Sequence, residues 1–334
     1  MSVMMSVCFL LRVSALSLVL GLRPPSIGPG CAVVPLSHRN CLRDRDAIER
    51  CFAGKVVHVY GNSVSRHWAY TLAYVLQGKA RFKLDRDGNF RRGDIANALR
   101  HLPDRRTEKE ECAHDGGRKS CEWRLGRGTR LVMRWQQAVH DERFERELTN
   151  SCRPDVAIVS VGSDDVYRAG SELPARGGHS SAERETYWHA RLSRLGPELV
   201  RTLRVAASLG TRVYYRTSTP NCVSRARHDA DGTIDYVPGF SHERDRKKRY
   251  REGLRNLNSA LHQGGQEMLA MLCEARNASA LPPVVRVMDA FDWIADGAPD
   301  PARAPGCASY DDGVHHPQLQ FAHVNALLCD FCET

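Results

Sequence analysis

Two short segments, one toward each end of the chain, hold residue types whose spacing suits nucleophilic chemistry. The first is Tyr60-Gly-Asn-Ser-Val-Ser-Arg-His-Trp68, which follows an apolar run and opens a helical pattern. A serine there, Ser63, meets the positive end of a helix and its free backbone N–H groups, which suit both a hydroxyl nucleophile and an oxyanion formed beside it. The second is Asp311-Asp-Gly-Val-His-His-Pro317. Its spacing lets Asp312 reach back to the ring of His315 in a turn. A serine needs a base to take its proton, and that base needs a carboxylate to fix its tautomer and stabilise the imidazolium. Ser63, His315 and Asp312 form such a set. The order Ser, Asp, His along the chain is allowed, because triads are defined by geometry. Both segments also have a plainer reading. Asn62 and Ser63 are good helix N-caps, and an Asp-x-x-His before a helix is commonly a cap with an exposed His.

The neighbours of these residues carry less weight. Ser65 lies one step deeper in the helix than Ser63, which disfavours it as nucleophile. His67 reads as a rim residue and Trp68 as part of the helix's core face. Arg66 fits a structural ion pair as well as a contact with an anionic substrate or the catalytic loop. His316 replaces His315 only if the turn slips by one. Thr217-Ser-Thr-Pro-Asn221 follows a strand pattern and lines the same edge, as a turn or as a wall of a substrate groove. There is no glycine-rich phosphate loop, zinc signature or dinucleotide fingerprint, so the sequence calls for no cofactor and no metal.

Five apolar runs rich in β-branched residues predict buried parallel strands: Lys55–Tyr60, Thr129–Arg134, Asp155–Val161, Thr211–Tyr215 and Val284–Met288. Helical patterns separate them at Ser65–Leu76, at Glu185–Leu209 with Pro197 as a potential break, and at Lys247–Cys273, where Gly264-Gly265 invites a kink. A last helix is predicted from Pro317 to about Phe331. This alternation predicts an α/β fold, a three-layer doubly wound sandwich on a five-stranded parallel sheet, with ligands at the carboxyl ends of the strands. The polar stretch over 78–128 lacks periodicity and reads as an insertion or cap. Residues 23–52, with Pro, Gly and three Cys, read as a neck before a catalytic domain at 53–334.

With the strands placed, the motifs resemble those of the SGNH, or GDSL-type, hydrolase superfamily. Gly61-Asn-Ser63 stands where that family has Gly-Asp-Ser, and Asp312-Gly-Val-His315 matches its Asp-x-x-His block. Gly162-Ser-Asp-Asp165 stands where it has Gly-x-Asn-Asp. Arg66, three residues after the serine, resembles the signature of the PC-esterase branch, which includes trichome-birefringence-like polysaccharide O-acetyltransferases. The resemblance spans about residues 55 to 328. It implies a flavodoxin-like sheet, a Ser63 nucleophile, a His315 base and an Asp312 orienting carboxylate, with Asn62, Gly162, Ser163, Asp164 and Arg66 around the oxyanion and substrate. Two positions depart from the pattern: Asn62 replaces Asp, and Asp164 replaces an oxyanion-donating Asn. A carboxylate cannot donate unless protonated, so Asp164 opposes developing negative charge. Backbone N–H groups, with the Ser163 hydroxyl, would then carry the hole.

Composition sets the frame. The chain has 334 residues, 42% hydrophobic and 26% charged with a formal net charge of +9, enough for a packed enzyme-sized protein and unlike a disordered or multi-span membrane chain. Its 48 cationic residues, all but seven of them Arg, are scattered among 39 acids, a bias in composition and not a nucleic-acid footprint. The run from Arg244 to Arg249, with Arg251, reads as a solvated helix face or an anion-facing surface. Residues 1–22 read as a signal peptide, or as an anchor holding the chain to a membrane. Twelve Cys without paired zinc spacing indicate disulfides, with Cys112 and Cys121 suited to staple a hairpin; eleven of them lie beyond Cys8 of the leader, an odd number, so at least one thiol is free or paired between chains. The Cys329-x-x-Cys332 pair at the end of the chain lacks the context of a redox motif. Asn277-Ala-Ser279 is a glycosylation acceptor pattern. These features predict the secretory pathway, and with them the resemblance implies an O-acetyltransferase or acylesterase that takes a carbohydrate substrate and an acyl donor. The rivals are an SGNH-fold carbohydrate-binding protein with weakened chemistry and, less favoured, a luminal glycosyl- or sulfotransferase.

Overall fold

Runs such as Val-Val-His-Val-Tyr-Gly can be strands only where both faces are covered, and the chain supplies a helical layer for each face. The computed structural model describes residues 31–36, 40–43, 45–78, 112–115, 118–136, 138–161, 181–222, 246–274, 285–295, 297–298, 304, 307 and 317–333. In chain order the elements are β1 (Cys31–Val33), α1 (Arg45–Phe52), β2 (Val56–Gly61), α2 (Ser63–Leu76), β3 (Cys112–Asp115), β4 (Arg118–Arg124), β5 (Arg130–Trp135) and α3 (Glu142–Thr149). They continue with β6 (Val156–Ser160), α4 (Ser181–Ser208), β7 (Arg212–Arg216), α5 (Arg246–Glu274), β8 (Val285–Met288), α6 (Ala290–Ala295) and α7 (Pro317–Glu333).

All five predicted strands form, as β2, β5, β6, β7 and β8, and all pair in parallel. The sheet they belong to is larger and mixed, however: eight strands in the order β1-β8-β7-β6-β2-β5-β4-β3. β1 adds to β8 in parallel, while β4 and β3 extend the other side as an antiparallel hairpin. The hairpin is polar because it lies at an edge. In β4, Cys121 and Trp123 turn to the core while Glu122 and Arg124 face out, the alternation of a strand with one wet face.

Alternation in β2 sends Val57 and Val59 to one layer and Tyr60 to the other. The first layer contains α1, α2 and α7. There Trp68, Leu72 and Val75 of α2 are buried, each burial worth about 2 kcal/mol. The second contains α3, α4 and α5 over Ala157, Val159, Val213 and Val287. Gly196 of α4 gives α5 its close approach, since a Cβ there would lie 2.8 Å from Met271 Cε.

The break expected at Pro197 does not occur: α4 runs through it, the donor that proline lacks falling opposite Ser193, an exposed residue that water can serve. α5 is likewise continuous through Gly264-Gly265. Of the segment expected as a neck, 23–52, the described residues from Cys31 onward are built into the domain. β1 lies on the sheet and α1 on the last helix, tied by Cys41–Cys329 and Cys51–Cys332. A third disulfide joins Cys222 to Cys307. Cys121 is also disulfide-bonded and stands opposite Cys112 in the hairpin, whereas Cys152 is free and exposed. Such disulfides fit an oxidising compartment. Among the described residues no helix is long and apolar enough to cross a membrane. The leader at 1–22, Asn277, residues 79–111 and the side chains of the Arg244–Arg251 run lie outside the described residues.

Candidate active site

Reading only the five central parallel strands, the order across the sheet is β5-β2-β6-β7-β8, so the first strand in sequence is flanked by the second and the third. The connections therefore leave β2 and β6 in opposite directions, and the gap at their carboxyl ends is the switch point where doubly wound sheets bind ligands. Ser63 stands at that gap. Gly61 closes β2 and pairs with Trp135 of β5 on one side and Ser160 of β6 on the other. Asn62 is the N-cap of α2: its side-chain oxygen accepts from the backbone N–H of Val64 at 3.0 Å, and its carbonyl accepts the first helical bond from Arg66 N at 3.0 Å. Ser63 follows as the first helical residue, half-buried, in the turn whose N–H groups have no partner within the helix. The Asn at position 62 thus does what an Asp would do for the turn, without a charge.

Residues at the carboxyl ends of β5 and β7 fix this turn. Gln136, just beyond β5, donates its backbone N–H to the carbonyl of Gly61 at 2.9 Å. Its side chain donates to Ala138 O and to Asp141 Oδ2, both at 2.9 Å. Asp141 in turn caps α3 through Phe144 N at 2.9 Å. Arg66 lies with its guanidinium 5.6 Å from the centre of the Trp135 ring, a cation–π contact at the end of β5. Ser65 is buried and accepts from Nη2 of Arg216, the last residue of β7, at 3.2 Å. Its burial removes it as a nucleophile open to substrate. Trp68 is fully buried in the core, as its place on the helix predicts, and the His67 ring lies against Tyr70.

Farther along the same edge, Thr217 follows β7 and donates to Asp289 Oδ1 at 2.9 Å, while accepting from Phe291 N at 3.0 Å. Burial and the neighbouring Asp292 carboxylate push the Asp289 acid up from its ordinary range, against the hydrogen bonds from Thr217, Asp292 N and Gln266. Asp289 is thereby a cap of α6 as well as a buried acid. Thr219 and Asn221 are buried, and Asn221 exchanges hydrogen bonds with Asn258 of α5, so this part of the loop is a packed wall.

The other members of the expected site, Asp312, His315, Gly162, Ser163 and Asp164, lie outside the described residues, as does His316. The course of α7 is informative all the same. Its last turn reaches the amino ends of the strands: Arg212 Nη1 donates to Phe331 O at 2.9 Å and Tyr214 OH to Asp330 Oδ2 at 2.7 Å. Its upper part lies beside α2, where Thr71 Oγ1 donates to Gln320 Oε1 at 3.1 Å, and His323 lies 5.0 Å from Trp293, beyond the carboxyl end of β8. α7 therefore begins at the same edge of the sheet as Ser63, two residues after His315 in sequence. Sequence reasoning missed Gln136, Trp135, Asp289 and Arg216. Each stands at or just after the carboxyl end of a strand, and a charged residue closing the apolar run Arg212–Arg216 was the one visible signal. Among the described residues no cluster of three or more metal-ligating side chains occurs. No protein-family model, curated protein or solved structure matches this chain.

Proposed function

We propose that the chain is an SGNH-type acyl enzyme of the secretory pathway, an O-acetyltransferase or acylesterase acting on a carbohydrate through an acyl-Ser63 intermediate. The observation that carries this reading is Ser63 itself. It sits in the first turn of α2, at the switch point, on the edge from which α7 sets out directly after Asp312 and His315. In the proposed reaction His315 takes the proton from Ser63 as its oxygen adds to the ester carbonyl. The leaving alcohol collects that proton, and the acyl group stays on the serine. A sugar hydroxyl or water then adds to the acyl carbon, giving its proton to His315, which returns it to Ser63. Asp312 holds the ring, and backbone N–H groups of the α2 turn, with Gly162 and Ser163, receive the oxyanion.

The test compares turnover of an aryl acetate by the purified chain and by Ser63→Ala, together with labelling by a fluorophosphonate. The substitution is expected to lower kcat by about 10³-fold or more and to abolish labelling. Equal turnover by both proteins overturns the proposal. Asp164 favours a second reading, glycan binding without chemistry, because a carboxylate in the hole repels the oxyanion. That reading expects glycan binding by a wild-type chain that no fluorophosphonate labels.

A further inference from the structure

Four elements converge on one buried hydroxyl beneath the Ser63 turn. Gly61, at the end of β2, has φ +155°, and a Cβ there would lie 2.1 Å from Ser65 Oγ and 2.5 Å from Ser160 O, so β2, α2 and the end of β6 are in contact at this point. Arg216 arrives from β7, over β6, and donates to the same Ser65 oxygen at 3.2 Å. Ser65 is 1% exposed and Arg216 2%.

A guanidinium is a costly way to fill such a space. It stays protonated, and taking it out of water costs several kcal/mol that its contacts must offset, whereas an aliphatic side chain would fill the volume without that penalty. Its position gives the charge a use. Ser65 is two residues from Ser63 on the same first turn, at the end of α2 where the helix dipole is already positive. Acyl transfer at Ser63 builds negative charge on an oxygen beside that turn, and a preorganised cation in a dry site acts on it far more strongly than in water. The hydrogen bond to Ser65 also fixes the rotation of the turn, hence the direction in which Ser63 presents its hydroxyl.

We propose that Arg216 is a positioning residue for Ser63: through Ser65 it sets the first turn of α2 and places a fixed positive charge beneath the site of reaction. Arg216 touches neither substrate nor reacting atoms. This inference rests on the Ser63 reading above and is tested so that the two fail separately.

The experiment measures kcat and KM for an aryl acetate, fluorophosphonate labelling rate and thermal melting for the full chain and for Arg216→Met, Arg216→Lys, Ser65→Ala and Ser63→Ala. Arg216→Met is expected to melt cooperatively and to lose about 10²-fold in kcat and in labelling rate, with KM within about threefold. Arg216→Lys restores the cation and is expected to recover about tenfold of that loss. Ser65→Ala keeps the charge and removes the hydrogen bond, and is expected to cost about tenfold in kcat. A folded Arg216→Met with wild-type kcat overturns the inference, as does a loss that Arg216→Lys leaves unrelieved. If Arg216→Met does not fold, Ser65→Ala decides: a lowered kcat with unchanged melting supports the role, and an unchanged kcat overturns it. An inactive Ser63→Ala beside a fully active Arg216→Met refutes the role of Arg216 alone, whereas an active Ser63→Ala removes the nucleophile and this inference with it.

Discussion

Gly61 shows how narrowly the nucleophile turn is specified. Its position is closed twice over, by the Ser65 side chain and by the Ser160 carbonyl, and the second obstacle is backbone in the middle of the sheet. A side-chain hydroxyl can rotate away, but a carbonyl bound into the β2–β6 gap cannot move without shifting a strand. The backbone angle at Gly61 adds strain for any residue with a Cβ. Gly61→Ala is therefore expected to destabilise the fold by about 2–4 kcal/mol, measured by urea denaturation, and to lower turnover by displacing Ser63. Wild-type stability with wild-type turnover would show that the β2–β6 gap yields more easily than its close contacts imply.

At the scale of elements, legibility in the sequence follows burial and length. β2, β5, β6, β7 and β8 stood out because strands buried on both faces must be nearly continuous apolar runs. β4 did not, because Glu122 and Arg124 keep its outer face polar. β1 is three residues long, too short for any pattern. Likewise α2 and α4 announce themselves through many apolar positions, while α1 and α3 each bury two side chains, Ile48 with Phe52 and Phe144 with Leu148. Of the site, Asn62 and Ser63 were readable as a local motif. Arg216 was not, since its meaning depends on β7 lying two strands from β2. Apart from Cys112 and Cys121, which frame the β3–β4 hairpin as expected, the cysteines were readable only as disulfide formers, yet their pairing governs how α7 is held. Cys41–Cys329 and Cys51–Cys332 both join the N-terminal segment to the last helix, so either one alone already closes the long loop, of 288 or 281 residues. The second bond then closes only a ring of roughly fifteen residues. Replacing one pair by Ser is expected to cost about 3 kcal/mol; replacing both should exceed the sum of the single losses by about 1–3 kcal/mol, because only then does the ring that either bond keeps closed by itself come open. Denaturation of the two single-pair variants and the combined one checks this, and strict additivity would mean that the bonds do not share a loop in the unfolded chain.

For the molecule as a whole, stability depends on acid through a group that takes no part in the proposed chemistry. His58 of β2 is buried, with Nδ1 2.9 Å from Tyr60 OH, and burial, reinforced by the Arg134 and Arg130 cations, holds it well below its ordinary value, down to about 3. The imidazole is thus neutral in the folded protein throughout the range in which a free histidine, near 6.5, takes up a proton. Between those two values the unfolded chain binds one proton more than the folded one, so stability falls as pH falls, by about 1.4 kcal/mol per pH unit. Other carboxylates and histidines add slopes of their own, but they cancel in a comparison with His58→Gln, which leaves them in place. The stability difference between wild type and this variant is therefore expected to shift by about 3 kcal/mol between pH 6.5 and pH 4, with the wild type losing ground in acid. Chemical denaturation across that range measures it. Parallel curves for the two proteins would mean that His58 takes up its proton while the chain is still folded, and that the burial of β2 in the middle of the sheet is not what sets the acid limit.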